Sequence, residues 1–268
     1  MPLPILRSYL FVPGNRPDRF AKAVASGADA VILDLEDAVP PPGKIAARAH
    51  VSGWLAASHP VIVRVNAFDT EWFDGDVGIC RHPGVAGVML PKAEHAEQLE
   101  AVRAKVEKTT TLLPIVETAL GLWNVEALAR TPQVERLAFG AIDLGVDLHV
   151  AEDEGLLAFR SQVVLASRVA GIQPPIDSPT TSFTELERVR ADADRSRRMG
   201  FGAKLCIHPA QVKPVHDAFA PTSDEVGWAR QVLAAAAASS GAATAVNGEM
   251  VDRPVVARAE AILARLRA

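Results

Sequence analysis

The sequence has little of what marks a secreted, membrane-spanning or nucleic-acid-binding protein. Only two of its 268 residues are cysteines, Cys80 and Cys206, which make neither a disulfide framework nor a CxxC motif. Aromatic residues are 5% of the chain, with Tyr9 the only tyrosine, so we expect no stacking platform for single-stranded nucleic acid. No apolar run approaches the roughly 20 residues of a membrane-spanning helix.

The charge balance of the chain is mildly acidic. The formal net charge is -4, and no tract of lysine and arginine is present, which argues against nucleic acid or an anionic membrane as the main partner. The N-terminal MPLPILRSYLFVPG lacks the basic start and small-residue cleavage site of a signal peptide. We therefore expect no nucleic-acid partner, no membrane partner and a cytoplasmic location, where cysteines stay reduced.

Several common catalytic motifs are also missing. The sequence contains no G-x-G-x-x-G, Walker A, HExxH or GxSxG pattern. Their absence argues against the commonest classes of nicotinamide-dependent enzyme, nucleotide hydrolase, zinc protease and serine hydrolase.

What the sequence does have is an alternation of short apolar, β-branched runs with amphipathic helical stretches, which predicts βα units around a parallel sheet. Strands are predicted at residues 8–14, 30–35, 61–66, 87–92, 173–177 and 203–208, and two more end in Glu117 and Asp143. Eight such units predict an α/β fold, a (β/α)8 TIM barrel spanning residues 1–220. Residues 221–268 are predicted to form a C-terminal helical extension, interrupted by a small-residue loop at 242–248, that packs on a neighbouring subunit.

Ionisable or strongly polar side chains follow almost every predicted strand. The carboxyl ends of barrel strands line the active site, so these side chains are expected to meet at one face. Chance would scatter them onto both ends, and their concentration indicates an enzyme. They are Asn15, Arg16, Glu36, Asp37, Arg64, Asn66, Lys92, Glu117, Asp143, Asp177 and His208.

Glu117 and Asp143 are the candidate metal ligands. Each is predicted to lie where a buried strand gives way to a loop, so the two carboxylates could converge. Two oxygen donors with no histidine partner would suit a hard cation such as Mg2+. The alternative is that both acids only cap loops. If either acid is considered by itself, we favour this second interpretation.

Arg64 lies inside the otherwise apolar strand VIVRVN, where a guanidinium would be desolvated unless it met an anion. One interpretation is a salt bridge to Glu36 or Asp37 on the neighbouring strand. The other is a fork that grips a substrate carboxylate or a developing enolate oxygen. The two do not exclude each other, and we favour the second.

Lys92 could form a Schiff base, compensate nearby carboxylates or contact the substrate, and we favour the compensating role. Glu36 and Asp37 are predicted to orient Arg64 and Lys92. Arg16 follows a glycine before a helix, in a loop that resembles an anion-binding loop. His208 is interpreted as a structural histidine. The predicted substrate-binding residues are thus Arg16, Glu36, Asp37, Arg64, Lys92 and Glu117.

Eight segments together resemble the citrate lyase beta-subunit-like proteins of the HpcH/HpaI aldolase superfamily, whose relatives include the malyl-CoA and citramalyl-CoA lyases. The match covers nearly the whole chain in the right order. The segments are RSYLFVPGNRPDRFAKA, VILDLEDAV, VIVRVN, VMLPKAE, LLPIVETALGLWN, LAFGAIDL, GFGAKLCIHPAQV and GEMVDRPVVARAE.

This resemblance implies a (β/α)8 barrel, dependence on Mg2+ and a homotrimer or hexamer. It also implies reversible carbon–carbon cleavage of a 3-hydroxy-3-carboxyacyl thioester. Carried over by motif, Glu117 and Asp143 would be Mg2+ ligands and Arg64 would bind substrate oxygens. Asp252, in GEMVDRP, would be the catalytic acid/base, acting from an adjacent subunit. From the sequence, Asp252 is equally well explained as a helix N-cap before Arg-Pro.

Three alternatives stay open. The first is a Mg2+-dependent aldolase that acts on a free keto acid and an aldehyde. A less favoured second is an aldolase that forms a Schiff base on Lys92. The third is a non-catalytic metabolite-binding subunit of a larger complex.

Overall fold

Eight parallel strands form a closed barrel in the computed structural model, which describes residues 6–238, 244–246 and 248–266. Each strand pairs with the next along the chain, and β8 pairs with β1 to close the ring. The predicted α/β barrel is confirmed. The strands are β1 (Ser8–Pro13), β2 (Ala30–Asp34), β3 (Val61–Arg64), β4 (Val85–Leu90), β5 (Thr111–Val116), β6 (Ala138–Phe139), β7 (Ile176–Asp177) and β8 (Ala203–Cys206).

Helices connect the strands and continue beyond the last of them. Pro17, Pro41 and Pro209 each begin a short 3-10 turn before a helix, a position where a missing N–H costs nothing. The helices are α1 (Phe20–Val24), α2 (Lys44–Trp54), α3 (Phe73–Ile79), α4 (Ala96–Arg103), α5 (Ala119–Trp123), α6 (Val125–Arg130), α7 (Ala141–Asp147), α8 (Leu157–Ala170), α9 (Leu186–Arg198), α10 (Val212–Phe219), α11 (Ser223–Ala238) and α12 (Arg253–Ala264).

The inside of the barrel is packed with side chains from every strand. Successive side chains of a strand point to opposite faces, so residues two apart share the interior. The interior cluster is Tyr9, Ile32, Ile62, Met89, Leu113, Ile115, Ala138, Ile176, Ala203 and Leu205. Two residues beyond three of these, at the carboxyl end, come Asp34, Arg64 and Glu117. The alternation that builds the core therefore also places charged groups above it.

Several predicted boundaries are wrong. The sixth strand does not run to Asp143 but ends at Phe139, and Asp143 lies in the first turn of α7. The seventh strand has only two residues, because Pro174 and Pro175 before it cannot donate to a ladder. Between β5 and β6 the chain forms two helices, α5 and α6, which meet at Asn124.

The chain divides into two compact units, of which the first comprises residues 6–215 and contains the barrel. The described part of the second begins at residue 216 and has its own small core of Ala229, Val232, Val251 and Ala259. Part of the loop predicted at 242–248 lies outside the described residues. The strands β9 (Thr244–Val246) and β10 (Glu249–Val251) pair antiparallel across it, so the loop prediction is wrong for residues 244–246. In the described ranges, the helices are too short or too polar to cross a bilayer.

Candidate active site

Arg64 is held at the end of β3 by acids from β2. Its Nε and Nη2 each donate to a carboxylate oxygen of Asp34 at 2.7 Å, because the two residues face each other in the parallel register. Its Nη1 lies 2.8 Å from Oε2 of Glu36. The guanidinium also stacks over Phe11, 4.7 Å from the ring centroid. The salt bridge expected with Glu36 is present, but the main partner is Asp34, not Asp37.

Lys92 joins this cluster from β4. Its Nζ donates to Oε1 of Glu36 at 2.7 Å, which is the compensating role favoured from the sequence. Its backbone has φ of 48°, in the left-handed region, and its backbone N–H donates to Oε1 of Glu117 at 2.8 Å. The same residue therefore contacts both acids, one with its side chain and the other with its main chain.

The turn after β2 that carries Glu36 is fixed by a buried lysine. Lys44 Nζ donates to the carbonyl oxygens of Leu35 and Glu36 at 2.8 and 2.7 Å. Asn66 Nδ2 donates to the same Leu35 carbonyl at 2.9 Å and to buried Asp76 at 2.6 Å. These contacts give Glu36 a rigid backbone.

A cavity of about 380 Å³ opens over these groups at the carboxyl end of the barrel. Asp37, Arg64, Glu117 and Asp143 all line it, so the structure brings the two candidate metal ligands and the arginine together. Asp143 reaches the cavity from the first turn of α7. Asp37 is exposed at the rim and contributes a third carboxylate.

Glu117 is unusual in its burial. Only 4% of the residue is exposed, and this burial, reinforced by the nearby Asp143 and Glu36 carboxylates, raises its pKa to about 8. The hydrogen bond from the backbone N–H of Lys92 opposes the shift but does not cancel it. Gly140 makes room for this side chain, since a Cβ there would lie 2.5 Å from Cβ of Glu117.

The charged side chains around the cavity differ in whether they have a partner of opposite charge. Arg64 and Lys92 are balanced by Asp34 and Glu36, with which they pair directly. In the part of the chain that the structure describes, neither Glu117 nor Asp143 forms an ion pair. Together with Asp37 at the exposed rim, which also forms no ion pair among the described residues, these unbalanced carboxylates on one cavity fit a divalent cation with oxygen ligands. No cluster of three or more acids, histidines or cysteines suited to a metal occurs among the described residues, so water would complete a Mg2+ shell.

Four residues singled out in the sequence have other contacts. Arg16 is exposed and pairs with Asp18 at 2.9 Å, and it does not line the cavity. Asp177 is buried against Arg160 and Lys204, at 3.1 and 3.6 Å. His208 accepts the Ala210 N–H through Nδ1 at 3.1 Å, a structural role as expected. The side chain of Asp252 accepts the Val255 N–H at 3.3 Å and caps α12.

Sequence reasoning missed three contributors to the site. Asp34 falls within a predicted strand and was not singled out, although an acid at the end of an apolar run, two residues before Glu36, was a usable signal. Phe11 and Gly140 gave no such signal, because a stacking partner and a close approach become visible only when strands distant in sequence are adjacent.

Comparison with known proteins gave matches over most of the chain. The family model described as HpcH/HpaI aldolase/citrate lyase matches residues 7–209. A citrate lyase subunit beta-like protein of Deinococcus radiodurans is 41% identical, covering 98% of both chains. A (3S)-malyl-CoA thioesterase of Cereibacter sphaeroides is 34% identical over 96% of both. The crystal structure of Mycobacterium tuberculosis CitE with magnesium, acetoacetate and coenzyme A superposes with a TM-score of 0.87, at 34% identity and 98% coverage of both.

Proposed function

The chain belongs to the HpcH/HpaI aldolase/citrate lyase family and is a carbon–carbon lyase, and from this premise we propose that it is a Mg2+-dependent enzyme of thioester substrates. The substrate is a 3-hydroxy-3-carboxyacyl thioester of the citryl-CoA, malyl-CoA or citramalyl-CoA type, cleaved or formed by aldol or Claisen chemistry. Support comes from the magnesium, acetoacetate and coenzyme A in the structure of the M. tuberculosis relative, and from the C. sphaeroides relative, which is named a (3S)-malyl-CoA thioesterase.

The observation that carries the proposal is the pair of uncompensated carboxylates beside a neutral cluster. Glu117 and Asp143 would hold the ion, because both line one cavity and lack cationic partners among the described side chains. When bound, Mg2+ would supply Lewis-acid polarisation of the substrate's oxygens.

Arg64 would stabilise negative charge on the substrate. A guanidinium carries five N–H donors in a rigid fork, and the two hydrogen bonds to Asp34 use two of them, while Nη1 forms an ion pair with Glu36. Donors that Asp34 does not use can face the cavity that Arg64 lines. Since Asp34 fixes the guanidinium before substrate arrives, little reorganisation is needed when charge develops on an enolate oxygen.

Proton transfer would fall to Asp252, as the family resemblance implies. We propose that the second unit of one subunit places Asp252 at the cavity of a neighbouring subunit. The supporting observation is that helix capping needs only an acceptor oxygen, so the carboxylate at the exposed start of α12 can take a second role.

The decisive experiment compares thioesters and free acids as substrates of the purified protein. Citryl-, malyl- and citramalyl-CoA should each be tested for release of a keto acid and, separately, for release of free coenzyme A thiol. We expect keto acid from at least one thioester, loss of that activity in EDTA and recovery with Mg2+. Thiol release without a keto acid would instead indicate thioester hydrolysis.

The remaining outcomes separate the alternatives. Cleavage of the free acids but not of the thioesters would favour an aldolase of free keto acids. Activity that resists EDTA, together with a substrate adduct on Lys92 that borohydride traps, would favour a Schiff-base mechanism. No cleavage of any substrate would favour a non-catalytic subunit and would overturn the proposal.

We also propose a homotrimer or hexamer. Support comes from large apolar side chains left in solvent on α5 and α7, with Trp123 84% and Val146 72% exposed. Light scattering after size exclusion should give three or six times the mass of 28.5 kDa, and a stable monomer would contradict the proposal. A cytoplasmic location is supported by Cys80 and Cys206, which are both free and buried.

A further inference from the structure

Ser178, the residue after β7, bridges the two sides of the turn between β6 and α7. Its Oγ donates to the carbonyl of Phe139 at 2.5 Å and accepts the N–H of Ala141 at 2.6 Å. These two residues flank Gly140. The serine is 3% exposed, so its hydroxyl makes both bonds away from bulk water.

This bridge replaces main-chain contacts that the fold does not provide here. β6 and β7 are two residues each, and a single register pair, Ala138 with Ile176, joins them. Ala141 is the first residue of α7, so its N–H has no acceptor within the helix. A side chain from the neighbouring strand supplies that acceptor.

The turn that Ser178 fixes leads into the helix that carries Asp143, one candidate metal ligand. It also contacts Glu117, the other candidate ligand. Asp143 lies two residues after Ala141, in the first turn of α7. On the other side, Gly140 is packed against Glu117, with its missing Cβ 2.6 Å from the position of Oε2. A shift of this turn would therefore change the separation of the two carboxylates.

Ser178 is itself held in place by a buried cation. Lys204 on β8 donates from Nζ to the carbonyl of Ser178 at 2.7 Å and lies 3.6 Å from Asp177. Lys204 is 3% exposed, and its ammonium thus ties the end of β7 to β8.

We propose that Ser178 is a positioning residue for the metal: it sets the separation of Glu117 and Asp143 and thereby the affinity for Mg2+. The inference rests on the proposed function, because it takes those two carboxylates as the ligands. Groups that orient metal ligands typically change metal affinity by about 10- to 100-fold when they are removed.

The test is Mg2+ affinity of the metal-free protein, measured by calorimetric titration, for Ser178→Ala and a matched control. Ser167→Ala also removes a buried hydroxyl, one that donates to Val163 within α8 and lies away from the site. Ser178→Ala loses two buried hydrogen bonds and Ser167→Ala loses one, and both variants lose some thermal stability. We expect only Ser178→Ala to bind Mg2+ about 10-fold more weakly or worse. Mn2+ bound in place of Mg2+ should show a changed EPR spectrum in that variant alone.

A more conservative variant covers the case in which Ser178→Ala does not fold. Ser178→Cys keeps the shape but offers a thiol, a weak donor and acceptor, and should also bind Mg2+ more weakly than the unmodified protein. Folded Ser178 variants that bind as tightly as the unmodified protein, or a loss shared equally by Ser167→Ala, would overturn the inference. Failure of the unmodified protein to bind Mg2+ would count against the proposed function instead.

Discussion

Arg64 and Asp34 are joined by two hydrogen bonds of 2.7 Å between neighbouring strands, and both are largely buried. Among the described residues, the substitution Asp34→Asn would leave the guanidinium with Glu36 as its one direct carboxylate partner. Removing one member of a buried pair is strongly destabilising, so we expect the free energy of unfolding to fall by about 3 kcal/mol in chemical denaturation.

A second ion pair in the same chain gives the control. Arg16 and Asp18 form a similar contact of 2.9 Å on the surface, where solvent screens it. Asp18→Asn should leave the denaturation midpoint unchanged. Equal effects of the two substitutions would show that the buried pair of Arg64 and Asp34 contributes no more to the free energy of unfolding than the surface pair.

Gly140 is predicted to be intolerant of any side chain. Its φ of -99° is open to all residues, so Gly140→Ala tests space alone. The new Cβ would lie 2.5 Å from Cβ of Glu117, which must move, and we expect Mg2+ affinity to fall at least about 10-fold. Gly53→Ala, in α2 with nothing within 4 Å, should leave Mg2+ binding unchanged and stabilise the protein slightly. Unaltered Mg2+ affinity in Gly140→Ala would disprove the close packing.

Mg2+ binding should depend on pH through Glu117. Its pKa is raised to about 8 in the metal-free protein, and only the carboxylate form binds metal, so protons compete with the ion. Affinity should rise with pH and level off above the pKa. Calorimetric titrations at about pH 6 and about pH 9 should differ by about 100-fold. A pH-independent affinity over that range would mean either that Glu117 is not a ligand or that its pKa is not raised.

Asp252→Asn separates helix capping from proton transfer. Asparagine caps helices as well as aspartate does, so α12 and the overall stability should be preserved. Loss of a general acid/base costs about 100- to 10,000-fold in rate, and turnover should fall accordingly while Mg2+ binding persists. Asp252→Ala should lose the cap as well, destabilising the protein by about 1 kcal/mol. Normal turnover in Asp252→Asn would remove this residue from the mechanism.

The sequence was sufficient for the barrel and for most of the charged groups at its carboxyl end. Short apolar, β-branched runs between helical stretches indicated the strands, and Arg64, Lys92 and Glu117 stood out because a charge interrupted or ended such a run. Arg16 stood out for a similar reason but pairs with its neighbour Asp18. The sequence pattern thus predicts that a charged residue lies at a strand end, but it does not predict which residue pairs with it.

Features that depend on contacts between distant strands were beyond the sequence. Asp143 was assigned to a strand because FGAI is as apolar as the strands around it, and only the short β6 shows that a helix begins there. Ser178 has no distinguishing pattern at all. Its importance follows from the meeting of β7 with the turn after β6, which no local signal predicts.

The internal neutrality of Asp34, Glu36, Arg64 and Lys92 has a consequence for engineering this protein. Preference among divalent ions would be controlled at positions 117 and 143, whose side chains form no ion pair among the described residues. Replacing the oxygen donors there with nitrogen donors should shift metal selectivity towards softer transition metals. The ion pairs of the neighbouring charged residues would stay unchanged.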